Sequence, residues 1–245
     1  MPTGAGDVWF KESAPSLAFE PALTEELARR RPDCMPEVLD VEERRMLTRD
    51  AGPQLRTLIA AGDEAPSWEE IVTLYAELQL ELVPDAETLP APDSRPATIA
   101  AKYGAEDLVE QLGTLVPLSL VHEEVHDGNV FVREGRPVFI DWAEASIAHP
   151  FCGLVNTLRA VGEADAPDIR DHYLTVWRGF APEAKLREVF ATAYALGCLC
   201  RAATWERIVE ALPEGSDAQV EYSHNARAWH EIYAEARRSP DRLGA

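Results

Sequence analysis

The sequence lacks long apolar runs, is poor in basic residues and has no C-x-x-C pair. Its apolar runs fall short of the ~20 residues of a membrane-spanning helix, so we expect no membrane span. Only 23 basic residues oppose 43 acidic ones, and the net charge of −20 repels phosphate backbones. A nucleic-acid partner is therefore disfavoured, whereas cationic small molecules could be steered toward the protein.

Two further absences bear on the compartment. Without a C-x-x-C pair, the four cysteines are expected to be reduced core residues rather than a disulfide framework or a metal site. The first twenty residues lack a basic segment followed by an apolar one, the pattern of a secretory signal. We therefore expect a cytoplasmic protein.

What the chain does have is enough apolar material for a core. Its 245 residues are 46% hydrophobic, which suits one globular domain or two small lobes that share a cleft. Residues 8–11 (Val-Trp-Phe-Lys) predict a short strand, and a helical pattern containing Leu23 and Leu27 follows. Residues 37–40 and 44–48 predict a strand pair around a charged turn.

Residues 50–53 (Asp-Ala-Gly-Pro) interrupt this pattern, and we place a lobe boundary there. The hypothesis is a small lobe at 1–49 and a mostly helical large lobe at 50–245. The fold class expected is α+β.

In the large lobe, apolar residues at three- and four-residue spacings over 68–82 predict an amphipathic helix. Residues 84–96 contain four prolines and predict an exposed connection, and one short helix is expected to end near Leu115. Two β-branched and aromatic runs, 130–132 and 138–140, flank a turn and predict a β-hairpin. Three or four helices are expected after Pro150, including a long apolar one around 189–212.

Residues 122–129 read His-Glu-Glu-Val-His-Asp-Gly-Asn and carry the chemistry. His122-Glu123-x-x-His126 satisfies H-E-x-x-H, the zinc hydrolase pattern, which would make the protein a metal-dependent hydrolase. That chemistry needs both imidazoles on one helical face. Pro117 lies shortly before the motif and a turn dipeptide directly after it, so a sufficient helix is not expected.

Phosphoryl transfer is the competing interpretation. Kinase catalytic loops have the form H-R-D-x-x-x-x-N, with a metal-binding Asp further on. Here the spacing is His122-x-Glu124-x-x-x-x-Asn129, followed by the hairpin and Asp141. An acid must accept the hydroxyl proton while an amide oxygen and a carboxylate hold magnesium, and a tight loop followed by a hairpin brings these groups together.

Residues 122–132 with the Ile-Asp-Trp at 140–142 resemble the aminoglycoside/choline phosphotransferase family, the kinase-like small-molecule phosphotransferases. The resemblance implies a two-lobed protein-kinase-like fold with a reduced small lobe. It also implies an ATP- and Mg²⁺-dependent transfer of the γ-phosphate to a hydroxyl of a small molecule. By motif it covers residues 11–150.

On that resemblance, Asn129 and Asp141 would be the magnesium ligands and Glu124 would occupy the catalytic-base position. His122 and His126 would support the loop and orient the acid, and we include His122 in the catalytic set.

In the small lobe, the resemblance implies that Lys11 binds the α- and β-phosphates. Glu20 would be the ion-pair partner of Lys11. The adenine is expected near the hinge at Asp50.

The sequence departs from the family pattern. Glu124 replaces an Asp, which moves the carboxylate by roughly 1.5 Å, the length of one C–C bond. The first two strands and the glycine-rich loop are absent, Gly4-x-Gly6 is too short to replace them, and we expect an exposed edge at residues 8–11. A degenerate kinase-like binding module or scaffold therefore stays open as the alternative function.

Overall fold

The computed structural model describes residues 2–3 and 6–238. The strands are β1 (Pro2–Thr3), β2 (Gly6–Glu12), β3 (Val38–Glu42), β4 (Arg45–Arg49), β5 (Ser119–Val121), β6 (Val130–Arg133), β7 (Arg136–Phe139) and β8 (Ser146–Ala148). The helices are α1 (Glu20–Arg30), α2 (Leu55–Ala61), α3 (Trp68–Leu82), α4 (Pro96–Tyr103), α5 (Glu106–Leu112), α6 (Val155–Val161), α7 (Ala166–Thr175), α8 (Glu183–Glu210) and α9 (Asp217–Arg238).

The amino-terminal sheet has the antiparallel order β1-β2-β4-β3. The predicted strand at 8–11 and the predicted pair around the charged turn are both confirmed, the latter with Glu42 opposite Arg45. Helix α1 buries Leu23 and Leu27 and packs against β3. Strand β2 lies between β4 and β1. Its residues Val8–Glu12 pair with β4, whereas Gly6 and Asp7 are its residues that pair with β1. Gly4 of the predicted Gly4-x-Gly6 lies outside the described residues.

The predicted amphipathic helix is confirmed as α3. Ser67 and Glu70 form a reciprocal capping box that satisfies backbone N–H groups at its amino end. Its apolar stripe is buried at Ile71, Val72, Tyr75, Leu78 and Leu82. The helix also contacts the loop that carries His122, because the Tyr75 hydroxyl accepts the His122 N–H at 2.9 Å.

The short helix expected to end near Leu115 is confirmed as α5, which ends at Leu112. A further helix that the sequence did not indicate, α4, precedes it and ends where Gly104 takes a left-handed conformation (φ 67°). The connection at 84–96 is not wholly exposed, since Ala86 and Leu89 are buried around a 3₁₀ turn.

The hairpin that leads to Asp141 is confirmed. β6 and β7 pair from Val130–Phe139 to Arg133–Arg136. The two turn residues, Glu134 and Gly135, have positive φ values of 54° and 77°, the geometry of a type I′ turn.

Four helices follow Pro150 in the described part of the chain, as predicted, and the long one is α8 with 28 residues. Gly197 lets α8 approach the 3₁₀ segment Pro150–Leu154, since a Cβ there would lie 2.6 Å from the carbonyl oxygen of Cys152. Within residues 2–3 and 6–238, no helix is both long enough and apolar enough to cross a bilayer. The proposed lobe boundary at 49/50 coincides with the end of β4 and stays a prediction.

Candidate active site

The loop at 122–129 is not helical. It leaves β5 at Val121 and forms bends and turns before β6. The zinc hypothesis required His122 and His126 on one helical face, so that hypothesis is wrong. Among the residues that the structure describes, no group of three or more His, Cys, Asp or Glu side chains is arranged to hold a metal ion.

His122 is fully buried beneath the loop. Its Nδ1 accepts the Glu124 backbone N–H at 3.3 Å, which assigns the proton to Nε2, and Nε2 donates to the Ile140 carbonyl at 2.9 Å. Its ring packs 4.4 Å from the ring of Trp142, and burial lowers its pKa. The neutral ring therefore ties the loop to the strand end before Asp141, which favours the supporting role over contact with a substrate.

Glu124, at the predicted base position, is held by three side chains. Its Oε1 contacts Arg201 Nη2 and accepts Asn156 Nδ2–H at 2.9 Å. His126 Nδ1 accepts the Gly128 N–H, so Nε2 carries the proton and donates to Glu124 Oε2 at 3.2 Å. Burial alone would raise the pKa of Glu124, but the His126 hydrogen bond and the charge of Arg201 lower it below its ordinary value.

The hairpin brings the two predicted metal ligands to one end of its ladder. Asn129 lies opposite Ile140, whose N–H donates to the Asn129 carbonyl at 3.0 Å, and Asp141 follows directly. The Asn129 amide donates to the Glu124 carbonyl at 3.2 Å, so its Oδ1 points away from that acceptor. Asp141 takes a left-handed conformation (φ 64°) and leaves its side chain 45% exposed.

Lys11 joins the sheet, α1 and the hairpin. Its Nζ lies 2.6 Å from Glu20 Oε1 and 2.7 Å from Asp141 Oδ1. Glu20, at the start of α1, is fully buried, and its Oε2 accepts Ser13 Oγ–H at 2.7 Å. Burial raises the pKa of Glu20; it would lower the pKa of Lys11, but the charges of Asp141 and Glu20 outweigh it and raise that pKa.

Asp50, the predicted hinge residue, holds its own loop. Its Oδ1 accepts the Gly52 N–H at 2.6 Å and its Oδ2 accepts Trp9 Nε1–H at 3.2 Å. Gly52 has φ 94°, and a Cβ there would lie 2.1 Å from the Val132 carbonyl oxygen, so only glycine fits. Asp50 thus fixes the loop at residues 50–52 against Trp9. Its contact with a nucleotide stays a prediction.

The cleft beside these groups is a cavity of about 340 Å³. Lys11 and Asp141 line it together with a mainly apolar set: Trp9, Met46, Ala51, Phe131 and Ile140. A few charged groups beside an apolar cavity are typical of small-molecule and cofactor sites.

Comparisons with known proteins agree with this geometry. The sequence profile of the phosphotransferase enzyme family matches residues 12–189. The chain belongs to this family. No curated protein sequence matches the chain significantly.

Solved structures share the fold of this phosphotransferase family member. A choline/ethanolamine kinase family protein from Mesorhizobium loti aligns with TM-score 0.58 and 17% identity over 97% of this chain and 87% of its own. The GDP complex of a mutant aminoglycoside 2′-phosphotransferase-IIIa aligns with TM-score 0.59 and 15% identity, over 95% and 86%. Choline kinase from Cryptosporidium parvum aligns with TM-score 0.57 and 10% identity, over 95% and 82%. The predicted two-lobed protein-kinase-like fold is confirmed.

Sequence reasoning missed two side chains of the candidate site. Trp9 is 60% exposed and lines the cleft; its two-residue spacing from Lys11, which puts both on one face of the strand, was the available signal. Arg201 in α8 is 2% exposed and contacts Glu124 and Glu144, and lies 3.6 Å from Glu123 Oε2. The only signal for it was a charged residue inside an apolar helical stretch.

Proposed function

We propose that this phosphotransferase family member uses ATP and Mg²⁺ to move the γ-phosphate to a hydroxyl group of a small molecule. The observation that carries the proposal is the position of Lys11 Nζ between Glu20 and Asp141, at one wall of a mainly apolar cavity of about 340 Å³. Family membership supports the reaction class. Neighbouring structures solved with GDP support the use of a nucleotide.

The donor atoms fit magnesium. Asp141 offers a partly exposed carboxylate and Asn129 an amide oxygen, and Mg²⁺ prefers oxygen ligands from one or two protein groups plus phosphates. These two residues would hold the ion, and the bound ion would neutralise charge on the phosphates. Lys11, which is paired with Asp141 in this structure, would turn to the phosphates while Glu20 keeps its ammonium in place.

The remaining chemistry falls to the loop. The bond between the γ-phosphorus and the ADP oxygen breaks, a bond from the acceptor oxygen to phosphorus forms, and the hydroxyl proton goes to Glu124. His126 holds the Glu124 carboxylate, and His122 holds the loop.

We further propose a cationic acceptor. The chain carries a net charge of −20, and the neighbours are named as kinases of choline and ethanolamine or of aminoglycosides.

We also propose a cytoplasmic location. The four cysteines are all free thiols, which fits the location expected from the sequence.

A kinase-like binding module is the second candidate, because Glu124 and Asp141 are both ion-paired within the chain. Calorimetry with MgATP and MgGTP, followed by an ADP- or GDP-release assay with choline, ethanolamine and an aminoglycoside, separates the two. We expect MgATP binding and turnover with one acceptor, and loss of turnover in Asp141→Asn.

Asp127→Asn is the matched control, since Asp127 lies in the same loop but pairs with the exposed Arg56. It should leave binding and turnover near wild type. Nucleotide binding without turnover on any acceptor would favour the binding module. A wild-type chain that binds neither nucleotide would overturn both.

A further inference from the structure

A buried arginine lies behind the predicted catalytic base. Arg201, from the middle of α8, is 2% exposed, and its Nη2 contacts Glu124 Oε1 while its Nη1 contacts Glu144 Oε2. Its guanidinium carbon also lies 5.4 Å from the ring centroid of Trp229. A charge this deeply buried is costly unless it is well paired, so this arginine calls for a physical explanation.

The need of the buried Glu123 for a partner does not explain the buried arginine. Glu123 is 1% exposed in its side chain and already accepts hydrogen bonds from Ser146 Oγ at 2.6 Å and Thr204 Oγ1 at 3.0 Å. Arg201 approaches it only to 3.6 Å. The fork of the guanidinium is directed instead at the two carboxylates that still reach solvent, with 22% of the Glu124 side chain and 18% of the Glu144 side chain exposed.

The contacts divide the two oxygens of Glu124. Among the residues that the structure describes, Oε1 receives Arg201 Nη2 and Asn156 Nδ2, whereas Oε2 receives His126 Nε2 alone. A carboxylate oxygen accepts about two hydrogen bonds, so Oε1 is saturated and Oε2 keeps one free position. At this free position, Oε2 can accept the proton of an acceptor hydroxyl.

Positioning matters more here than it would for an aspartate. A glutamate has one more rotatable bond, and ordering a long side chain costs conformational entropy. A misplacement of about 1 Å at a reacting group can lower the rate about 100-fold. A planar, always-charged fork fixed in a helix is suited to hold such a carboxylate in one orientation.

We propose that Arg201 is a positioning residue for phosphoryl transfer: it fixes Glu124 by Oε1 and thereby presents Oε2 to the acceptor hydroxyl. This inference rests on the proposed function, in which Glu124 accepts the hydroxyl proton. Within the described part of the chain, Arg201 pairs with Glu123, Glu124 and Glu144 and not with Lys11 or Asp141. Its loss is therefore expected to lower kcat while the KM for MgATP stays within about twofold.

The test uses MgATP hydrolysis by the full chain as the probe reaction, in which water takes the acceptor position. Arg201→Met and Arg201→Lys are measured in the wild-type and Glu124→Gln backgrounds. Lys keeps the positive charge but lacks the planar guanidinium that contacts Glu124 and Glu144 at once. It also provides a measurable variant when Arg201→Met does not fold. Arg207→Met is the matched control, since Arg207 also lies on α8 and is partly buried, and among the described residues its charge interacts with Glu123 and Glu144 but not with Glu124.

We expect Arg201→Lys to lower kcat about 10- to 100-fold with Glu124 present and less than about threefold in Glu124→Gln. Arg207→Met should change kcat less than threefold. Equal losses in both backgrounds, or no loss at all, would overturn the inference alone. A wild type that binds MgATP but does not hydrolyse it would also overturn it, whereas a wild type that binds no nucleotide would overturn the proposed function itself.

Discussion

Replacing Lys11 by Met is expected to lower both the stability of the fold and the affinity for MgATP, and a second substitution at Glu20 distinguishes these two effects. Lys11 Nζ contacts Glu20 at 2.6 Å and Asp141 at 2.7 Å. Asp141 is 45% exposed and water can replace its partner, but Glu20 is fully buried and, of its partners among the described residues, would keep Ser13 alone. The stability cost therefore comes mainly from Glu20.

The size of that cost follows from the exposure of the pair. Breaking a fully buried ion pair costs about 3–5 kcal/mol, and an exposed one contributes about 0–1 kcal/mol. Lys11 is 37% exposed, so solvent screens part of the interaction. We expect Lys11→Met to lower the free energy of unfolding by about 1–3 kcal/mol near neutral pH.

The cost should depend on pH. Burial already raises the pKa of Glu20, and loss of the Lys11 charge would raise it further. Lys11 stabilises Glu20 only when the carboxylate is ionised. The difference in the free energy of unfolding between wild type and Lys11→Met is therefore small at pH values where Glu20 is protonated, and it grows as pH rises through the pKa of Glu20 in the folded protein.

Urea unfolding at pH 5 and pH 8 measures this difference, and calorimetry with MgATP measures binding. Lys11→Met with Glu20→Gln should regain most of the lost stability, because a neutral amide no longer needs the cation, yet should still bind MgATP at least about tenfold more weakly than wild type. A double variant that regains binding would refute the role given to Lys11. A destabilisation larger at pH 5 than at pH 8 would refute the electrostatic argument.

Two further substitutions test the loop and the core. Glu124→Asp should lower kcat about 10- to 100-fold, because the shorter side chain falls roughly 1.5 Å short of Arg201; a rise in kcat measured by ADP release would contradict this. Gly197→Ala should lower the free energy of unfolding by about 1–3 kcal/mol in spite of the better helix propensity of Ala, since its Cβ would lie 2.6 Å from the Cys152 carbonyl oxygen. Gly179→Ala, whose new Cβ would have no heavy atom from elsewhere in the described chain within 4 Å, is the matched control and should change stability little.

Local patterns predicted the local structure of the site. The hairpin followed from two β-branched and aromatic runs around residues 133–137, and within that segment the structure places the turn at Glu134 and Gly135, which both take positive φ. The H-E-x-x-H spacing alone could not separate two chemistries. The turn dipeptide after His126 decided against a helix, and the structure confirms that decision.

Contacts between distant segments could not be predicted in this way. Arg201 lies 77 positions after Glu124, and only the packing of α8 beside the loop brings the two together. Nor does the spacing of Glu123, Glu124 and Glu144 indicate that one arginine is shared among them. Local spacing predicts which side chains share an element, whereas partners from separate elements depend on the packed core.

The two predicted working carboxylates are both neutralised by cations of the same chain, but in environments of different polarity. Asp141 and Lys11 are 45% and 37% exposed, and an ion pair exposed to this degree contributes only about 0–1 kcal/mol net. Phosphate oxygens and a divalent cation could replace both partners at little net cost. Glu124 and Arg201 are 22% and 2% exposed, so separating them would leave a buried arginine short of a partner. On the proposed function, the Lys11–Asp141 pair would therefore be exchanged when the nucleotide binds, whereas the Arg201–Glu124 pair would be kept.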